Sequence, residues 1–250
     1  DGEEIDVYFQ KLYNEYGHVT WDENYCSSCT PFLVLNNDLS DSTKFNTPGI
    51  DGLRITIAHE FFHAIQVGYR WDADYMFWYE MTAVWMEDQI YDEINDYLYL
   101  IPKYFSNTND PFDNNTFEPM YSKCVWPIFL SEKHSADLIR QCWIKFGEGR
   151  ATGKSLYLAF DDELPGGFKT NFMEFALWNL FTYMESDDDY YSEGRLFPKV
   201  TSEKLVKDLD SNYEDSLRIY HTSIKYYTLE DDFLRGGFRI TSSADFSGLG

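Results

Sequence analysis

Gly52-Leu53-Arg54-Ile55-Thr56-Ile57-Ala58-His59-Glu60-Phe61-Phe62-His63-Ala64-Ile65-Gln66-Val67-Gly68-Tyr69 is the stretch on which the reading of this chain turns. Its apolar residues fall on nearly every face of an α-helix, which predicts a helix in the middle of a domain rather than on its surface. The Thr47-Pro48-Gly49 turn precedes it, and Asp51 is placed to cap it. His59 and His63, at i and i+4, lie about 40° apart around the helix axis, so both imidazoles reach one point. Glu60 is turned roughly 100° from His59 and roughly 60° from His63. Burying two imidazoles and a carboxylate without partners is costly. A metal ion would be that partner: zinc takes tetrahedral N and O ligands, and two neutral imidazoles supply half the set. Glu60 can then flank the metal without binding it and take a proton from water.

A third ligand is expected from the next helix. Trp78-Tyr79-Glu80-Met81-Thr82-Ala83-Val84-Trp85-Met86-Glu87 opens a helical segment reaching about Tyr91. A helix–turn–helix over residues 64–79 brings Glu80 back beside the histidines. Glu87 and Asp88 are the competing carboxylates, but they stand two turns further along.

Working outward, the first fifty residues read as strand and loop. Ile5–Phe9 alternates with period two, and Pro31-Phe32-Leu33-Val34-Leu35 is a short apolar run closed by Asn36-Asn37-Asp38. The segment to Asn107 reads as helical with a break at Pro102, and a polar loop covers 106–118. Helices are predicted over 119–133, 135–147, 152–163 and 168–184, with strands over 219–229 and 237–241. The expected class is α+β: residues 1–91 carry a small twisted sheet and the two site helices, 92–210 form a helical lobe, and 211–250 a short β tail reading as an incomplete module.

Composition narrows the partners. The 250 residues hold 43 Asp and Glu against 20 Lys and Arg, for a net charge of −23. Nucleic acid is excluded as an expected partner, since phosphate contacts need clustered Lys and Arg. No apolar run approaches the roughly 20 residues of a membrane-spanning helix. Aromatic residues make up 19%, which predicts an interior or a groove lined by large rings. The acidic runs Asp187-Asp188-Asp189 and Asp161-Asp162-Glu163 are candidate calcium loops without the alternating spacing of known ones. The start at Asp1-Gly2 reads as a removed leader or a cut chain. Cys124 and Cys142, equidistant from Lys133 near a turn between helices, are expected to form a disulfide, and Cys26 to pair with Cys29. Two disulfides would put the protein in an oxidising, extracellular setting.

Ala58–Gln66 together with Tyr79-Glu80-Met81-Thr82-Ala83 resembles the gluzincin clan of metallopeptidases. Trp85-Met86-Glu87-Asp88 and Phe172–Asn179 are similar to a family of bacterial metallopeptidases predicted to be secreted, over residues 5–200 or so. The resemblance implies a zincin-like fold, with the sheet over the active-site helix and a helical lobe across the cleft. It implies zinc held by His59, His63 and Glu80, Glu60 as the water-activating base, and a peptide or protein substrate. It also suggests that Tyr121, in Pro119-Met120-Tyr121-Ser122-Lys123, donates its hydroxyl to the oxyanion, with His134 and His221 as alternative donors and His18 structural. Some gluzincins orient the first histidine with an aspartate four residues past the ligand glutamate; here that position is Val84, leaving Glu87 or Asp88 to serve. The Gly-rich amine-anchoring motif of the aminopeptidases is missing before His59, which favours an endopeptidase. Substrate would lie along an edge strand, for which Pro31–Asn36 is the candidate, and Trp71, Trp78 and Phe61 could line an apolar pocket. Two other readings stay open: a non-catalytic secreted binding module with a structural metal site, and a zinc amidase acting on a non-protein amide.

Overall fold

The computed structural model of the chain describes residues 4–20, 31–206 and 220–229. The fold is mixed α+β, a small N-terminal sheet followed by a mainly helical part. Strands β1 (Val7–Gln10), β2 (Gly17–Thr20) and β3 (Phe32–Asn36) lie in the order β1-β3-β2, with β3 parallel to β1 and antiparallel to β2. The strand expected at the edge is therefore the central one. Its apolar run explains this: Leu33, Val34 and Leu35 are buried in succession, as a strand covered on both faces requires. The edge facing the rest of the protein is β2.

The quoted stretch forms helix α1 (Gly49–Tyr69). Asp51 does not cap it; the N-cap is Pro48, without a side-chain bond, and Asp51 lies in the first turn, paired with Arg54 at 3.0 Å. The sheet lies directly on this helix. At Gly17 an added Cβ would meet the Thr56 methyl at 2.8 Å and the Val34 carbonyl oxygen at 2.9 Å, so glycine lets β2 pass against α1.

Helix α2 (Met76–Ile90) returns along α1 and is buried on nearly every side, with each residue from Phe77 to Trp85 inside. It also packs on α4 (Phe117–Ser122) and α5 (Val125–Lys133), which split what reads in sequence as one helix. The break expected at Pro102 falls just ahead of it, between a 3-10 turn over Asp96–Tyr99 and α3 (Ile101–Ser106), because proline is accommodated in a first helical turn. Helices α6 (Ala136–Glu148), α7 (Leu156–Glu163) and α8 (Gly167–Trp178) close the helical part. In the tail, β4 (Lys204–Val206) pairs in parallel with β5 (Tyr227–Leu229); the strand expected over 237–241 lies outside the described residues.

One core runs through all of this. Trp78, Trp126, Trp143 and Phe160 stack and T-pack at its centre, and the same cluster reaches from Phe62 of α1 to Tyr226 of the tail, across the expected boundary at Tyr91. Much of the aromatic content is thus interior. Among the described residues no helix is long and apolar enough to cross a membrane.

Cys124 and Cys142 are both buried and free, so the expected disulfide between them is absent. The turn explains why. It is centred on His134-Ser135 and not on Lys133, which puts Cys124 level with residue 145, about 4.5 Å along the helix from Cys142. Cys26 and Cys29 lie outside the described residues. Burial pushes both described thiols up, Cys142 to about 12. Alkylation in denaturant without reductant should label Cys124 and Cys142 fully, and alkylation of the native protein should leave both unlabelled; peptide mass mapping reads the difference.

Candidate metal centre

The faces of α1 and α2 that meet carry polar groups inside an apolar core. His59, Glu60 and His63 on α1 and Glu80 and Glu87 on α2 are each only 6–8% exposed. Glu80 and Glu87, seven residues apart, share one face of α2, and His59 spans them. Its Nε2 lies 3.2 Å from Glu80 Oε2, while its Nδ1 lies 2.6 Å from Glu87 Oε1. His63 Nε2 is 3.0 Å from His59 Nε2 and 3.4 Å from Glu80 Oε2. The three expected ligands therefore converge, and among the described residues they form the one His/Cys/Asp/Glu group able to hold a metal ion.

The surrounding hydrogen bonds fix which ring nitrogens carry protons. Gln66 is fully buried and donates its amide N–H groups to the Tyr79 carbonyl at 3.0 Å and the Thr82 hydroxyl at 2.9 Å. A carbonyl can only accept, so the Gln66 Oε1 must face His63 Nδ1, 2.6 Å away. His63 Nδ1 is then the donor, and its Nε2 keeps a lone pair. Glu87 does the same for His59, accepting from Nδ1. With both rings neutral, two imidazole lone pairs and a carboxylate oxygen point at one buried spot. A cation is what such a donor set fits.

Charge among these groups follows from the same contacts. Burial opposes a charge on His59, but its bonds to Glu80 and Glu87 and the nearby Glu60 carboxylate outweigh it and hold the imidazole well above its usual range. Burial would also raise Glu80, yet the bonds from His59 and His63 hold its carboxyl well below the usual range. Burial pushes Glu87 up to about 7 against the pull of His59. The site favours positive charge at its centre.

Around it lies a cavity of about 810 Å³, lined by all three candidate ligands, Glu60, Glu87, Asp96 and Tyr121 and bordered by β2. Glu60 accepts a 2.8 Å hydrogen bond from the Val19 backbone N–H. The Tyr121 ring lies nearly parallel to His59, with centroids 5.9 Å apart. Burial, then the Glu80, Glu60 and Glu87 carboxylates, raise its phenol far above the usual range, so it stays protonated and able to donate. Asp96, raised by burial, accepts from the Thr47 hydroxyl.

Other expected groups lie elsewhere or are otherwise engaged. His134 bonds to Asn171 and His221 to Asp113, neither on the cavity wall. His18 is at the rim, paired with Glu15. Of the three rings assigned to a pocket, Trp71 lines the cavity, Trp78 is core, and Phe61 is half exposed on the outer side of α1. The acidic runs gather no calcium-like set among the described residues: Asp161 accepts from the Phe168 N–H, Asp162 pairs with Lys154, and Asp187 accepts from the Asp189 N–H. Sequence reasoning named Glu87 as a rival ligand or orienting group; it orients His59. It missed Gln66, although a buried amide three residues past His63 is a readable signal, and it missed Val19, whose role lies in a backbone group and leaves no trace in sequence.

Residues 46–153 are similar to a protein family described as a family of unknown function (DUF6055). That span takes in His59, His63, Glu80, Glu60, Glu87 and Tyr121 and leaves out the three-stranded sheet. No curated protein and no solved structure matches the chain.

Removing either orienting partner should loosen the metal more than the fold. Glu87→Gln and Gln66→Leu are each expected to weaken metal affinity by about 10–100-fold, measured by competition with a chromogenic chelator; affinities unchanged in both would show that neither orients a ligand.

Proposed function

We propose that this chain is a zinc-dependent endopeptidase of gluzincin type, with His59, His63 and Glu80 as ligands and Glu60 and Tyr121 as the groups that act on the substrate. The observation that carries the reading is the triangle of donor atoms, with edges of 3.0, 3.2 and 3.4 Å. A tetrahedron around an ion with bonds of 2.0–2.1 Å has edges of about 3.3–3.4 Å. Two imidazoles and a carboxylate also suit zinc better than calcium or magnesium, which prefer all-oxygen shells. A closed structural site would carry a fourth protein ligand; here the ligands line a substrate-sized cavity, which favours a catalytic site over a purely structural one.

When bound, the ion supplies Lewis acidity, polarising a carbonyl oxygen and acidifying water. Glu60 would take the proton from the attacking water and return it to the leaving amine. The Tyr121 phenol would donate to the carbonyl oxygen as it gains charge, without adding a second full charge beside the metal. An extended peptide would lie along β2, the edge strand at the cavity, by strand addition. The sheet packed on α1, with α3 and α4 across the cavity, supports a zincin-like arrangement. The acidic composition and the Cys26–Cys29 pair keep an extracellular setting within the proposal.

Metal analysis of purified protein should find about one zinc per chain, lost in His63→Ala. Glu60→Gln should keep the zinc and lose peptide-library cleavage by on the order of 10²–10⁴-fold. No zinc after reconstitution at neutral pH, or full turnover in Glu60→Gln, would overturn the reading. A zinc-loaded protein that leaves the library intact but hydrolyses non-peptide amides would move it to an amidase.

A further inference from the structure

We infer that the backbone N–H of Val19 is a positioning group for Glu60, so that the sheet edge itself holds the proton-transfer carboxylate in place; this rests on the reading of Glu60 given above. The argument starts from the pairing of β2. The Asn36 N–H donates to the Tyr16 carbonyl, and the antiparallel register pairs His18 with Val34 and Thr20 with Phe32. Residues 16, 18 and 20 therefore turn their backbone groups to β3, and Gly17 and Val19 turn theirs outward. An outward N–H on an edge strand ordinarily meets water or an incoming strand. That of Val19 instead reaches Glu60 Oε2 at 2.8 Å.

Glu60 gains a definite side of the cavity from this bond. Its side chain has three rotatable bonds, and it is buried at 8% exposure. A charge-assisted bond to one carboxylate oxygen fixes the group against the sheet wall and leaves the other oxygen for the site. The close approach at Gly17 over Thr56 keeps β2 near enough to α1 for the bond to form. One consequence concerns the substrate: a peptide paired along β2 must do without the Val19 N–H, leaving a gap in the ladder beside Glu60.

Two measurements test this, the first without catalysis. In the metal-free protein the Val19 amide should exchange slowly with solvent although it lies on a free edge, and Glu60→Ala should abolish that protection; equal exchange in both overturns the tether. In the zinc-loaded enzyme, Val19→Pro removes the N–H at a position where an outward-facing edge residue tolerates proline. It should keep zinc and KM and lower kcat by about 10–100-fold. In a Glu60→Gln background Val19→Pro should cost nothing further. A fully active Val19→Pro beside an inactive Glu60→Gln would sink the tether and leave the proposed function standing; an active Glu60→Gln would sink both. If Val19→Pro fails to fold, the exchange comparison alone decides.

Discussion

Three lone pairs aimed at one buried point are the constraint that organises this protein. His59 Nε2, His63 Nε2 and Glu80 Oε2 lie within 3.0–3.4 Å of one another, and the far nitrogen of each ring is engaged by Glu87 and by Gln66. Acceptors so placed repel unless a proton or a metal ion sits among them. Holding them there requires α1 and α2 to stay in one register, and much of the remaining structure serves that requirement.

The register is held by packing on the far side of α2. Thr82 donates to the Trp78 carbonyl and accepts from both Gln66 and Trp143, so one hydroxyl links the orienting amide of His63 to α6. Trp85 reaches Ser131 of α5, and Trp78 stacks on Trp143. A helix gripped by large rings on several sides cannot slide by one turn without opening cavities, each costing about 24 cal/mol per Å³ left empty. The aromatic richness of the sequence is spent here, as scaffold for the face of α2 that carries Glu80 and Glu87. The sheet plays the complementary part on the other side of α1, where glycine at position 17 brings the strand edge down to Glu60.

Asp96, Thr47 and Tyr16 extend the polar network toward the cavity wall. The Thr47 N–H donates to the Tyr16 hydroxyl and its side chain donates to Asp96. Burial pushes the Tyr16 phenol up to about 12, with Asp96 and Glu87 adding to the effect. This wall thus carries neutral donors around buried carboxylates.

The amino-acid sequence by itself determined the candidate ligand pair and the buried helix, because spacing along one α-helix is fixed by 100° per residue whatever surrounds it. It pointed as well to Glu80 and Tyr121, since a short connection forces the next helix to return alongside the first, and resemblance carried the tyrosine. Strand order, the state of Cys124 and Cys142, and the partners of His63 and Glu60 were decided only by the tertiary structure. β3 reads as an edge until the sheet shows it flanked on both sides. A disulfide depends on where a turn is centred, to within a residue, and sequence signals do not locate turns that finely. The Val19 N–H is identical in every non-proline residue, so nothing in the letters could mark it; only the approach of β2 to α1 gives it a carboxylate to hold.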